Sequence, residues 1–91
     1  MKTIEHPVTF LEIAEFCRKN DFTPVELSNV TQEMFDHKNV RVVLHEESDE
    51  GIHVIGFGGT PGWSGVLFEV RLSWETPLAV IQGCIRGAIE A

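Results

Sequence analysis

Near both ends of the chain, apolar residues recur at helical spacing. The first predicted helix runs from a capping-box start at Thr9 to about Asn20. Its apolar residues, among them Ile13 and Cys17, fall on one face, whereas Glu12 and the other charged residues fall on the opposite face. This segregation predicts an amphipathic helix that buries one stripe of side chains.

The last predicted helix opens at Thr76-Pro77, a capping residue followed by proline, and continues to the end of the sequence. Ile81 and Ile85 mark its apolar face, because they repeat at a spacing of four residues. This helix is therefore expected to pack against the same core as the first one.

The other side of the last helix carries small residues where a solvated helix would carry charged ones. Ala79, Gly83 and Gly87 form this stripe. Glycine costs roughly 1 kcal/mol relative to alanine inside a helix, so the two glycines indicate close approach by another backbone. Two explanations stay open: a second element of the same chain covers the stripe, or these three residues form a homodimer contact.

Between the helices, three runs rich in β-branched residues predict strands at 40–45, 52–57 and 66–74. The connections between them are of hairpin length, which predicts antiparallel pairing. In the third run, Phe68 and Val70 alternate with Glu69 and Arg71, so we expect the first two in the core. The predicted fold is α+β, in the order α-β-β-β-α, with a three-stranded antiparallel sheet and both helices packed on one face.

The segment from 23 to 36 is harder to assign from its residues. Thr23 followed by Pro24 has the pattern of a helix start, with Glu26 three residues after the cap. Val30, Met34 and Phe35 continue at three- and four-residue spacing, which predicts a short or irregular helical stretch. A strand through Val30 is the alternative, because several residues of this segment are poor helix formers.

Composition indicates a folded protein without a membrane segment. Hydrophobic residues make up 43 % of the 91 residues and charged residues 23 %, which predicts one globular domain over 1–91. Cys17 and Cys84 are too few for a disulfide framework and fall within helical patterns, so they are expected to be buried free thiols. No apolar run is long enough to cross a bilayer and no signal-peptide core is present, so a cytoplasmic location is expected.

The formal charge of −7 shapes the choice of partner. Phosphate backbones are bound by basic patches, so direct nucleic-acid binding is disfavoured and a basic protein surface is favoured. Four carboxylates cluster between the first two strands, at Glu46, Glu47, Asp49 and Glu50. They form either a solvated turn or an acidic patch that engages a basic partner, and they lack the register of a calcium loop. Acidity that only keeps the protein soluble is the alternative.

The glycine-rich stretch 56–65 connects the second and third strands. Phosphate-binding loops lead from a strand into a helix, whereas here another strand follows and the stretch contains no lysine or arginine. The stretch is either a wide hairpin in which the glycines let the sheet bend, or a recognition loop that presents Trp63 to a partner.

No arrangement of residues predicts catalysis, a metal site or a cofactor, because neither cysteine lies in a nucleophile motif. The leading expectation is a non-enzymatic acidic protein-binding module that uses the four carboxylates and Trp63. A homo-oligomeric structural or accessory domain is one alternative. A small enzyme or ligand carrier, with the glycine-rich loop as a pocket wall, is another.

Two resemblances accompany this interpretation. The order α-β-β-β-α with a closing helix rich in alanine and glycine is similar to the double-stranded-RNA-binding domain. That family binds RNA through basic residues at the start of its last helix, and 75–79 of this chain contain none. Residues 74–81 also resemble the closing strand-to-helix segment of small phage and prophage accessory proteins. This second resemblance implies an inhibitor of a host protein, such as an anti-defence or anti-CRISPR protein, that occupies a basic or nucleic-acid-binding surface.

Overall fold

The computed structural model describes residues 10–26, 32–45 and 51–90. These residues form two helices, α1 (Phe10–Lys19) and α2 (Leu78–Glu90), and five strands. The strands are β1 (Thr23–Val25), β2 (Gln32–His37), β3 (Val40–His45), β4 (Ile52–Phe57) and β5 (Val66–Leu72). The predicted α+β class is confirmed, but the prediction of three strands is wrong.

The five strands form a single antiparallel sheet in the order β1-β2-β3-β4-β5. Each strand therefore pairs with its neighbour in sequence. Strands β3, β4 and β5 are the three that the β-branched runs predict, although β5 ends at Leu72 rather than at Trp74. Strands β1 and β2 extend the sheet beyond β3.

The start signal at Thr23-Pro24 belongs to a strand and not to a helix. Proline lacks an N–H group, and an edge strand such as β1 tolerates it because one side of the strand makes no ladder hydrogen bonds. Strand β2 turns directly into β3 through Lys38 and Asn39, and Lys38 adopts a positive φ of 56°. Val30, through which a strand was the alternative, lies outside the described residues.

The core lies between one face of the sheet and the two helices. Val40, Val42 and Leu44, alternate residues of β3, are fully buried in it. Both helices contribute to this same cluster, α1 through Ile13 and α2 through Ile85 among others. The predicted placement of both helices against one core therefore matches the packing of the described residues.

Strand β5 departs from the predicted core. Val70 is 37 % exposed, because α2 packs against β3 and β4 and leaves the outer part of β5 uncovered. Val66 is 58 % exposed and pairs with Phe57, which lies on the sheet face opposite the helices. Phe68 does pack against the core, where its ring lies over Gly56 of β4. A Cβ atom at Gly56 would fall 2.2 Å from that ring, so any larger residue at this position would displace the ring of Phe68.

The small-residue stripe of α2 faces away from the core, since Ala79, Gly83 and Gly87 are all exposed. Nothing lies within 4 Å of a Cβ atom built on either glycine. Among the described residues, therefore, no second element covers the stripe. Neither α1 nor α2 has the length and apolar character needed to cross a membrane.

Candidate functional site

Residues 58–65 form a hydrogen-bonded loop between β4 and β5. The Gly58 N–H donates to the Gly65 carbonyl at 2.9 Å and closes the base of the loop. At its tip, the N–H groups of Trp63 and Ser64 both donate to the Thr60 carbonyl, at 3.0 and 3.1 Å. These bonds define a tight turn, which restrains the backbone that carries Trp63.

The side chain of Arg41, on β3, joins this loop to the sheet. Its Nε and Nη2 atoms donate to the two carboxylate oxygens of Asp36, on β2, at 2.8 and 2.9 Å. The Nη2 atom also lies 3.4 Å from the Pro61 carbonyl oxygen in the loop, and the guanidinium carbon lies 5.8 Å from the ring centroid of Phe57. The hydrogen bond to Asp36 raises the pKa of Arg41 above its usual value, so the cation is permanent.

Gly62 lets the loop approach Arg41 closely. Its φ of +83° is a conformation that other residues rarely adopt. A Cβ atom at this position would also lie 3.1 Å from the Arg41 Nη1 atom. The glycine next to Trp63 therefore has two reasons to be glycine, one conformational and one steric.

The two tryptophans of the chain lie in opposite environments. Trp74 packs beside Phe10, with ring centroids 5.9 Å apart, and its Nε1–H donates to the His45 carbonyl at 2.8 Å. Trp63 is 89 % exposed. An indole with this exposure adds little to the core, so the stability of the fold does not account for its position.

Trp63 has exposed apolar neighbours in the chain. Val66 is 58 % exposed and Leu67 is 69 % exposed, and both lie at the start of β5, directly after the loop. The pairing of β4 with β5 is irregular here, since Gly56 pairs with Phe68 but the next residue of β4 pairs with Val66.

A cluster of ionisable side chains lies on the sheet face opposite the helices. His53 Nδ1 lies 3.3 Å from Glu69 Oε2, and Arg71 Nε lies 3.4 Å from the same oxygen. The ring centroids of His45 and His53 are 4.8 Å apart. No group of three or more histidine, cysteine, aspartate and glutamate residues in the described part of the chain could hold a metal ion.

The described residues also include two free cysteines and two clefts. Cys17 is fully buried, and burial raises the pKa of its thiol to about 12, with only partial compensation by Arg18. Cys84 is half-buried and is also a free thiol. A cleft of about 330 Å³ lies where α1 and α2 end, and one of about 200 Å³ lies between the helices; Trp63 lines neither of them.

The predicted site residues fall in three places. Trp63 lies at the tip of the loop, while Ala79, Gly83 and Gly87 lie on exposed α2. Glu46, Glu47, Asp49 and Glu50 lie outside the described residues. The role of Arg41 in holding the loop was not predicted. The sequence feature that points to Arg41 is its position opposite Asp36, across the tight turn between β2 and β3.

Comparisons with protein-family models, with curated proteins and with solved structures found no significant match to this chain.

Proposed function

We propose that this chain is a non-enzymatic protein-binding module that inserts Trp63 into a pocket on a basic partner protein. The observation that carries the proposal is the exposure of Trp63, 89 %, on a loop tied to the sheet through Arg41. Tryptophan is among the residues that contribute most when buried at protein interfaces.

The fixed loop makes Trp63 a better anchor than an exposed tryptophan on a mobile segment. Ordering a flexible side chain or loop on binding costs about 0.5 to 1.5 kcal/mol for each immobilised side chain. The turn at Thr60 and the contact of Arg41 with Pro61 restrict the loop before any partner arrives. More of the free energy from burying the indole is then available for binding.

Charge supplies the second part of the proposal. A formal charge of −7 attracts a basic surface and repels nucleic acid, so the partner we propose is a protein with a basic or nucleic-acid-binding face. Residues 74–81 resemble a segment of phage and prophage accessory proteins. On that resemblance, the proposal includes a phage or prophage origin and inhibition of a host protein. Salt should slow the association, since screening acts over roughly 8 Å at physiological ionic strength.

Affinity capture with matched baits tests the proposal. The wild type, Trp63→Ala and Leu11→Ala are immobilised, and the proteins each retains are identified by mass spectrometry. Leu11 is 75 % exposed on α1, so its removal controls for the loss of any exposed apolar side chain. We expect a basic protein that the wild type and Leu11→Ala retain and that Trp63→Ala loses, with equal melting temperatures for all three. Equal capture by Trp63→Ala would refute the proposal.

Two other functions differ in their support. A homo-oligomeric domain is favoured by the exposure of Gly83 and Gly87, because no part of the described chain covers them. A ligand carrier with the glycine-rich loop as a pocket wall is disfavoured, because a side chain as exposed as Trp63 does not wall a deep pocket.

A further inference from the structure

The outer edge of β5 presents main-chain hydrogen-bonding groups that the described sheet does not use. Two bonds at the ends of the β3–β4 pair show which residues of β4 bond to β3. The His45 N–H donates to the Gly51 carbonyl, and the Phe57 N–H donates to the Asn39 carbonyl, each at 2.8 Å. Because the direction of these groups alternates along an antiparallel strand, odd-numbered residues of β4 bond to β3 and even-numbered ones bond to β5.

The same alternation applies to β5. Val54 of β4 pairs with Val70, so the main-chain groups of Val70 point towards β4. The N–H and C=O groups of Glu69 and Arg71, one residue to either side, therefore point away from the sheet. An edge of this kind accepts another extended strand.

We propose that two copies of this chain pair antiparallel through β5, about a two-fold axis at Val70, so that the sheets of both copies become continuous. In this register Glu69 lies opposite Arg71 of the second copy, and Arg71 lies opposite Glu69. Each of these two symmetry-related pairs exchanges two N–H···O bonds, because Glu69 and Arg71 are the residues whose main-chain groups point outward.

Charge selects this register among those that the alternation allows. A register centred on Glu69 would place two glutamates directly opposite each other, and one centred on Arg71 would place two arginines there. Like charges at such positions destabilise a strand pair, whereas opposite charges stabilise it. The Val70 register alone gives two opposite-charge pairs. Arg71 can enter them, since its side chain is 67 % exposed and its contact with Glu69 is long, at 3.4 Å.

The apolar groups near the edge fit the same arrangement. Val70 would lie against Val70 of the second copy at a position where paired side chains are closest. Phe68 would lie opposite Leu72, and both are half-buried on the helix side of the sheet. In the monomer the side chain of Val70 is 37 % exposed to water. The pairing would cover this apolar surface.

Helix α2 turns an apolar side towards the same edge. Its other side meets α1, where Arg86 lies 5.2 Å from the ring of Phe16 and Gln82 lines the shared cleft. Helix α1 packs on the β1 side of the sheet. Helical spacing places Val80 and Cys84 on the side of α2 away from α1, towards the β5 edge, and Val80 is 49 % exposed. The second copy would approach this side.

This inference does not depend on the proposed binding of Trp63 to a basic protein. It gives the homo-oligomeric alternative a definite surface, at β5 rather than at Gly83 and Gly87. The tests are separable, because Trp63→Ala should self-associate like the wild type even if it loses its partner.

Sedimentation and amide hydrogen exchange on the full chain, at physiological salt, test the pairing. The expected result is a concentration-dependent dimer in which the Glu69 and Arg71 amides become protected as dimer forms. Arg71→Glu places only carboxylates across the axis and should weaken dimerisation by about tenfold or more. Glu69→Arg should do the same, and an equimolar mixture of the two variants should form a heterodimer. Melting curves check that both variants fold, since Glu69 also contacts His53.

Three results would overturn the pairing. The first is a wild type that stays monomeric at concentrations of several hundred micromolar. The second is a dimer in which the Glu69 and Arg71 amides exchange as fast as in the monomer, which would place the contact elsewhere, for example on α2. The third is dimerisation of Arg71→Glu with the affinity of the wild type.

Discussion

Arg41→Met should both destabilise the fold and loosen the loop that carries Trp63. The substitution keeps a long apolar side chain beside Phe57 but removes the charge and the hydrogen bonds to Asp36 and Pro61. Because one side chain makes contacts to β2 and to the loop, stability and loop order should change together.

The size of the effect follows from the burial of the Arg41–Asp36 pair. The side chains of Arg41 and Asp36 are 19 % and 25 % exposed, so the pair lies between the surface and buried limits. Exposed pairs contribute about 0.2 to 1 kcal/mol, whereas breaking a buried pair costs about 3 to 5 kcal/mol. We expect Arg41→Met to lower the free energy of unfolding by about 2 kcal/mol. Arg41→Lys should recover only part of this loss, because an ammonium group cannot bond both carboxylate oxygens as the guanidinium does.

Urea unfolding measures the stability, and time-resolved fluorescence anisotropy measures the motion of Trp63. The second measurement needs a Trp74→Phe background, in which Trp63 is the only tryptophan. We expect a larger amplitude of nanosecond motion in Arg41→Met than in the matched parent. A variant that loses stability while Trp63 keeps the anisotropy of the parent would show that the turn at Thr60 holds the loop without Arg41, and would refute this reasoning.

Two further changes test the helices. Gly83→Ala should raise the free energy of unfolding by about 0.5 to 1 kcal/mol in thermal or urea unfolding, because the position is helical and open to solvent; a loss of stability would mean that something covers this glycine. In the native protein, a thiol reagent at pH 8 should label Cys84 and leave Cys17 unlabelled until the chain unfolds, since burial holds the pKa of Cys17 at about 12; early labelling of Cys17 would contradict its placement in the core.

The sequence predicts β3, β4 and both helices well, because their apolar residues repeat at a clear period and bury on one side. It misses β1 and β2 for physical reasons. Thr23-Pro24 fits both the start of a helix and an edge strand, since neither position needs the N–H group that proline lacks. In β2 two apolar residues, Met34 and Phe35, are adjacent, so the sequence shows no alternation of apolar and polar residues. Only Phe35 of the two is fully buried.

The candidate site is predicted only in part. A tryptophan among glycines indicates a loop, and Trp63 lies on one, but its exposure depends on tertiary packing that sequence spacing does not show. The contact of Arg41 with Pro61 joins residues 20 positions apart, and it depends on a β2–β3 hairpin without an Asn-Gly signal at its turn. The free edge of β5 likewise becomes visible only when the sheet order is known.

The order of the strands bears on how the protein folds during its synthesis. Each hairpin can close as soon as its second strand leaves the ribosome, because every strand pairs with the one made just before it. Helix α2 follows all five strands, and its Ile81 and Ile85 are fully buried in the core. Helix α1 precedes the strands and can cover its own part of the core, but the part that α2 covers stays in water until α2 has emerged. During that interval the chain is most exposed to chaperones and to aggregation.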